Sequence, residues 1–125
     1  MSMSPAAFGL ILTGVLLNAF AQLALKASVR GMGEIHVTAA TAMPVALRLA
    51  SEPWLWLGLL LYGISVIVWI LALSRVDVSI AYPMLSIGYI VNAIIAWAWL
   101  GEVLSLTRIL GIGIIIVGVI VLARG

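Results

Sequence analysis

The sequence has no cysteine and a single histidine, His36. The missing thiols exclude disulfide bonds, thiolate metal sites and a cysteine nucleophile. His36 has no second metal-binding side chain at a suitable spacing, so we expect neither a metal site nor a cofactor. The apolar segments contain no carboxylate pair and no nucleophile beside a base, and we therefore expect a protein that is not an enzyme.

Charged residues are also scarce, at 8% of the chain, whereas soluble domains have about 25%. So few charges do not cover the surface of a soluble protein, and 66% of the 125 residues are hydrophobic, with a mean hydropathy of +1.35. The composition predicts an integral membrane protein, and its predicted helical segments make it an all-α one. Its net charge of +2 is dispersed between apolar runs and gives no reason to expect a nucleic-acid partner.

Four apolar segments each approach the roughly 20 residues that a helix needs to cross a bilayer. They lie at about 6–25, 54–73, 78–100 and 106–122, and one long connection occupies 27–53. We expect a single four-helix transmembrane domain over 1–125. The first segment is predicted to be a retained helix, because no Lys or Arg precedes it and it exceeds the usual signal-peptide core of about 7–15 residues.

The third segment combines polar side chains with a proline. Tyr82, Ser86, Tyr89 and Asn92 recur at spacings of four, three and three, and so they share one helical face. Pro83 removes a backbone donor, which predicts a kink. A bent helix with a polar stripe is typical of a membrane helix that lines a cavity, since a helix facing only lipid needs neither feature.

The first segment carries a second polar stripe. Asn18, Gln22 and Lys26 are four residues apart each time and stack along one face. Two interpretations stay open at this point. The stripe faces a cavity, or the two amides bond to neighbouring helices while the lysine extends to the membrane surface.

Aromatic residues characterise the second segment. Trp54 and Trp56 are expected to mark the membrane interface, as tryptophans commonly do. Tyr62, Ser65 and Trp69 follow at spacings of three and four and share a face, which either packs against another helix or lines a cavity.

The fourth segment contains Gly111 and Gly118, seven residues apart on one face, where small side chains let two helices approach closely. We expect this face to pair two subunits, with a contact inside one chain as the alternative. Arg108 near the start of the segment is expected to pair with Glu102. Four short helices enclose little space, which favours an oligomer, most simply a dimer.

The connections carry a small charge asymmetry. Four basic residues fall on one side and Arg75 and Arg124 on the other, which favours a cytoplasmic long connection and periplasmic termini, with insertion in both directions as the alternative. Within that connection, 41–51 is predicted to be a short interfacial helix or an irregular loop. The four basic residues on the first side are Lys26, Arg30, Arg48 and Arg108.

Residues 79–86, with the sequence SIAYPMLS, resemble the third-helix motif of small four-helix members of the drug/metabolite transporter superfamily. The run Leu100-Gly101-Glu102 and the later glycines resemble the final hairpin of that superfamily. Gln22-Leu23 followed by Lys26 resembles the end of its first helix. The resemblance covers all four segments and implies a four-helix bundle like that of the small multidrug resistance proteins.

Two branches of this superfamily differ in the first helix. Small multidrug exporters carry a membrane-embedded glutamate there that exchanges protons for cationic drugs. This sequence has Asn18 at or near that position, and an amide does not titrate. The other branch, the subunits of the aminoarabinose-phosphoundecaprenol flippase, shares the Ala-Tyr-Pro-Met-Leu-Ser run. Resemblance to it implies a flippase that moves a lipid-linked sugar across the bacterial inner membrane.

The same resemblance implies a substrate site. The lysine and the amides of the first stripe are expected to donate to phosphate and sugar hydroxyls, and the hydroxyls of the third segment to face the sugar. A second copy or a related subunit is the expected protein partner, joined through Gly111 and Gly118. The alternatives are an exporter of small cations or metabolites and a non-transporting assembly subunit. The expected substrate-binding residues are Asn18, Gln22, Lys26, Tyr82, Ser86 and Tyr89.

Overall fold

A computed structural model describes residues 4–124 and contains six helices. Residues 1–3 and 125 of the predicted domain lie outside the described residues. Four stretches are long and apolar enough to cross a membrane, and the third of them consists of two consecutive helices, α4 and α5. The predicted all-α fold with four spans is confirmed. The helices are α1 (Pro5–Ser28), α2 (Ala42–Ala50), α3 (Pro53–Leu73), α4 (Val78–Met84), α5 (Ile87–Trp99) and α6 (Leu106–Arg124).

Helix α1 begins at a capped N-terminus and forms the centre of the bundle. The Ser4 hydroxyl accepts a hydrogen bond from the Ala7 amide at 3.1 Å, and Pro5 occupies a first-turn position that needs no amide donor. Ile11 and Val15 are almost completely buried, and α1 packs against both α3 and α5. It continues to Ser28, three residues past the predicted end at 25.

Glycine allows the neighbouring helices to approach α1 closely. A Cβ added to Gly58 of α3 would lie 2.9 Å from side-chain carbons of Leu25 and 3.1 Å from the Ala21 carbonyl oxygen. A Cβ on Gly88 of α5 would lie 3.5 Å from the side chain of Val15. Close backbone approach through small residues is the usual way in which helices pack in lipid.

The third span is interrupted two residues after Pro83. Helix α4 ends at Met84 and α5 begins at Ile87, and the amides of Leu85 and Ser86 bond to carbonyls three residues back, not four. Proline lacks the amide donor of a regular helix, so the backbone hydrogen bonds to residues four positions back are interrupted near it. The irregularity predicted for this segment is therefore present as a break between two helices.

The long connection contains the short helix α2, so the helical alternative for 41–51 is the correct one. None of the residues of α2, all of which are described, is buried. His36 is exposed in the irregular part of the connection, where its carbonyl accepts a hydrogen bond from the Thr41 hydroxyl at 2.7 Å.

Helix α6 lies at the edge of the bundle. It has no buried residue, although its whole length is described. The Ser105 hydroxyl accepts a hydrogen bond from the Arg108 amide at 3.2 Å and so caps the first turn. A Cβ on Gly111 or Gly118 would meet no atom of residues 4–124 within 4 Å. These glycines therefore do not mediate a close helix contact inside the described chain.

One end of the bundle carries four tryptophans and is called here the tryptophan end. The rings of Trp54 and Trp99 meet edge to face with centroids 5.1 Å apart, and the Arg30 guanidinium lies 5.8 Å from the Trp99 ring. These contacts join the chain just after α1 to the start of α3 and the end of α5. The four residues are Trp54, Trp56, Trp97 and Trp99.

Candidate substrate-binding cavities

The larger cavity lies between α1, α3 and the third span and has a volume of about 520 Å³. Five of the six residues predicted to bind substrate border it. Helix α3 contributes the face with Tyr62, Ser65 and Trp69, so this face borders the cavity, while Trp69 also packs against the core of the bundle. The five predicted residues are Asn18, Gln22, Tyr82, Ser86 and Tyr89.

Hydroxyl and amide groups supply the polar part of this cavity, whose lining also contains many apolar side chains. The Ser65 hydroxyl is buried and donates to the Tyr62 carbonyl at 2.6 Å, so it is satisfied within α3. Tyr82 and Tyr89 are 65% and 56% exposed, which leaves their hydroxyls free to contact a ligand. Within residues 4–124, the residues that line the cavity include no charged side chain. The arrangement suits a ligand that offers many hydrogen-bonding groups.

A smaller cavity of about 480 Å³ lies at the tryptophan end between α1, α5 and α6. Its lining includes the sixth predicted residue, Lys26, together with Glu102 and Arg108. The predicted set is therefore divided: Lys26 does not border the larger cavity with the tyrosines. Three polar side chains border both cavities and connect them, namely Gln22, Tyr89 and Asn92.

An ion pair joins α1 to the loop before α6. The Lys26 ammonium nitrogen lies 3.9 Å from a carboxylate oxygen of Glu102, and the Arg108 guanidinium donates to the Val103 carbonyl at 2.7 Å. The expected pairing of Arg108 with Glu102 is therefore wrong. The last turn of α1 brings Lys26 to the carboxylate, and the Arg108 side chain turns back to its own loop.

Asn92 is a candidate that the predicted site set omitted. Its side-chain oxygen Oδ1 is buried and has no hydrogen-bond partner among residues 4–124. In the sequence, Asn92 shares a helical face with Tyr82 and Tyr89, and this spacing could have identified it as a candidate site residue. An unpaired buried acceptor costs about 1–3 kcal/mol, which makes it a natural partner for a donor on a ligand.

Most of the chain matches a known family of membrane proteins. Residues 31–115 match the family model described as Small Multidrug Resistance protein, which is more than half of the chain. The chain belongs to the small multidrug resistance family. It is accordingly a multi-pass membrane protein of a transporter family, in agreement with its four apolar spans. No solved structure matches the chain.

Two of the relatives match the chain over a longer stretch that includes most of α1. A protein of Pseudomonas savastanoi pv. phaseolicola, named "Probable 4-amino-4-deoxy-L-arabinose-phosphoundecaprenol flippase subunit ArnE", is 34% identical over 115 residues, which is 92% of this chain and 95% of that protein. A protein of the same name from Pseudomonas aeruginosa strain UCBPP-PA14 is 32% identical over the same shares. One from Pseudomonas fluorescens strain Pf-5 is 37% identical over 63% of this chain and 69% of its own.

Proposed function

We propose that the chain is a subunit of a flippase that moves a polyprenyl-phosphate-linked aminosugar across the bacterial inner membrane. The observation that carries this proposal is the similarity to the named flippase subunits over 115 of 125 residues. At most ten residues fall outside that match, so Asn18, Gln22 and Lys26 all lie within it. The family model, in contrast, begins after α1.

The chemistry of the two cavities supports this substrate. A lipid-linked sugar phosphate combines an anionic phosphate with several hydroxyl groups. Lys26 and the Gln22 amide offer donors for the phosphate, and charged donors form the stronger hydrogen bonds. Tyr82, Ser86 and Tyr89 offer hydroxyls for the sugar. Only the headgroup needs a cavity, because the polyprenyl tail stays in the surrounding lipid.

Export of small cations is the second candidate, and the family match favours it. The larger cavity argues against it, because none of its lining residues within 4–124 is a carboxylate that could exchange protons for a cation. Glu102, in the smaller cavity, lies beside the Lys26 ammonium and is paired with it. Overexpression is expected to leave resistance to quaternary ammonium compounds unchanged. A clear rise in resistance would favour the exporter. Catalysis has no support from the cavity chemistry, and we propose transport without an enzymatic step.

A partner subunit completes the proposal. The relatives are named as subunits, and the fully described α6 has no buried residue. Gly118 leaves this helix open to close approach by another helix, and Gly111 on the same face also borders the smaller cavity. We propose that α6 pairs with a second copy of the chain or with a related subunit, and that the long connection faces the cytoplasm.

Lipid binding tests the proposal directly. The full-length chain in nanodiscs is titrated with an aminosugar-linked undecaprenyl phosphate, and dissociation constants are obtained by native mass spectrometry. Lys26→Ala is expected to raise the dissociation constant about tenfold, which corresponds to the free energy of one hydrogen bond to a charged group. Gln22→Ala is expected to raise it less, because the amide is neutral. Arg48→Ala, on exposed α2, is the matched control and is expected to bind as the unaltered chain does. Absence of specific binding would contradict the proposal.

Reconstitution distinguishes a transporter from an assembly subunit. Three sets of liposomes are loaded with a labelled polyprenyl-phosphate lipid. They contain the chain alone, the chain with its copurified partner, and the partner alone. We expect the label to reach the opposite leaflet faster with the chain present, either alone or as half of the pair. If the partner transports at the same rate without the chain, the chain is a non-transporting subunit.

A further inference from the structure

The smaller cavity carries charges of both signs where a phosphate site needs only positive charge. This inference rests on the proposed function. We infer that the cavity selects a zwitterionic headgroup, with Lys26 and Arg108 holding the phosphate and Glu102 holding the ammonium group of an aminosugar. The three side chains line one cavity of about 480 Å³ at the tryptophan end.

The ion pair between Lys26 and Glu102 is easily separated. Its nitrogen and oxygen are 3.9 Å apart, and the two side chains are 59% and 43% exposed. Exposed pairs of this kind contribute little to stability. A headgroup that inserts a phosphate beside Lys26 and an ammonium beside Glu102 replaces this one loose pair with two pairs of opposite charge. Each side chain exchanges its partner and neither is left without one.

A carboxylate at this position opposes any ligand that is only an anion. Glu102 would repel a phosphate held by Lys26, because two like charges this close are destabilising. An ammonium group on the ligand removes that repulsion and adds an attraction. The relatives are named for a 4-amino-4-deoxy sugar, whose amine supplies this charge. The carboxylate thus discriminates between sugars with and without a basic amine.

The neutral groups that border both cavities suit the sugar between these charges. Gln22 and Tyr89 offer donors and acceptors, and the unpaired Oδ1 of Asn92 accepts from a hydroxyl. Arg108 uses one of its five N–H donors on the Val103 carbonyl, so others are left for a phosphate. The charged side chains therefore bind the phosphate and the ammonium at the two ends of the headgroup, and the neutral side chains bind the sugar hydroxyls between them.

The test compares two lipids that differ by one charge. These are 4-amino-4-deoxy-L-arabinose-phosphoundecaprenol and its N-acetylated derivative, titrated into the full-length chain in nanodiscs in the oligomeric state in which it purifies. The unaltered chain is expected to bind the amine form about threefold to tenfold more tightly, as suits a partly exposed ion pair. Glu102→Gln is expected to abolish this preference. Lys26→Ala and Arg108→Ala are expected to weaken both lipids alike.

Glu34→Gln removes a carboxylate from the same membrane side outside both cavities, and it is expected to retain the preference. If neither lipid binds, the proposed function itself fails. If the unaltered chain binds both lipids equally, the function stands and the inference is wrong. The inference is equally wrong if Glu102→Gln tightens both lipids by the same factor, since the carboxylate then only competes with phosphate for Lys26.

Discussion

At the residue scale, Asn92 is expected to affect both the stability of the bundle and ligand binding. Its Oδ1 atom is buried without a hydrogen-bond partner among residues 4–124, and its side chain borders both cavities. Such an atom destabilises the ligand-free protein, because its hydration is lost without replacement. A donor from a bound sugar would compensate for that loss. The same residue therefore affects stability and binding in opposite directions.

Substituting Asn92→Leu separates these two effects. The ligand-free variant is expected to unfold at the same temperature as the unaltered chain or a higher one, because an unpaired acceptor worth about 1–3 kcal/mol is gone. The thermal stabilisation given by the aminosugar lipid is expected to fall. Both are measured by unfolding curves in detergent with and without lipid. A variant that is less stable alone and equally stabilised by lipid would contradict the assignment.

Gly58 makes the closest of the glycine contacts with α1. Gly58→Ala is expected to lower the free energy of unfolding by about 1–3 kcal/mol, because the new methyl group would lie 2.9 Å from Leu25 and 3.1 Å from a backbone oxygen. Gly63→Ala on the same helix is the control, since a Cβ there meets nothing within 4 Å among the described residues. Thermal unfolding in detergent compares the two. Equal unfolding temperatures would contradict the proposed close packing.

At the element scale, helical periodicity predicted which side chains share a face. Residues three and four apart on one helix are neighbours whatever surrounds them. The stripe of Asn18 and Gln22 and that of Tyr82 and Tyr89 border one cavity. The partner of Glu102 was not predictable in this way. It depends on where the end of α1 meets the loop before α6, and this is a property of tertiary packing.

The break in the third span is also testable at this scale. Pro83→Ala restores an amide donor at position 83 for the Ser79 carbonyl, which favours one continuous helix. We expect an equal or higher unfolding temperature and a slower lipid transfer rate in liposomes, because Tyr82 and Tyr89 would be reoriented. Pro53→Ala is the control, since a first-turn proline costs the helix no hydrogen bond. An unchanged transfer rate for Pro83→Ala would contradict a role for the break.

At the scale of the whole molecule, composition and length were sufficient to predict four spans. A chain so poor in charge has to lie in lipid, and the bilayer thickness fixes the length of each helix. Composition and length did not indicate that α1 would be central and α6 peripheral, because all four segments are similarly apolar. Gly58 and Gly88 on the other helices lie close to α1, whereas a Cβ added to Gly111 or Gly118 of α6 would meet no described atom within 4 Å.

The exposed α6 predicts how subunits pair. Because the chain has no cysteine, a single introduced thiol gives an unambiguous cross-link. Gly118→Cys is expected to form a disulfide-linked dimer in membranes under mild oxidation, since this face is proposed to meet its counterpart in a second copy. Gly63→Cys, an exposed position on α3, is expected to remain monomeric on the gel. If neither variant cross-links, pairing of two copies through α6 is contradicted.

The three side chains common to both cavities have a geometric consequence for transport. Tyr89 and Asn92 belong to α5, and α5 is separated from α4 by the break after Met84. A headgroup that contacts these side chains is therefore within reach of both compartments, so it does not have to leave its hydrogen-bonding partners to pass from one to the other.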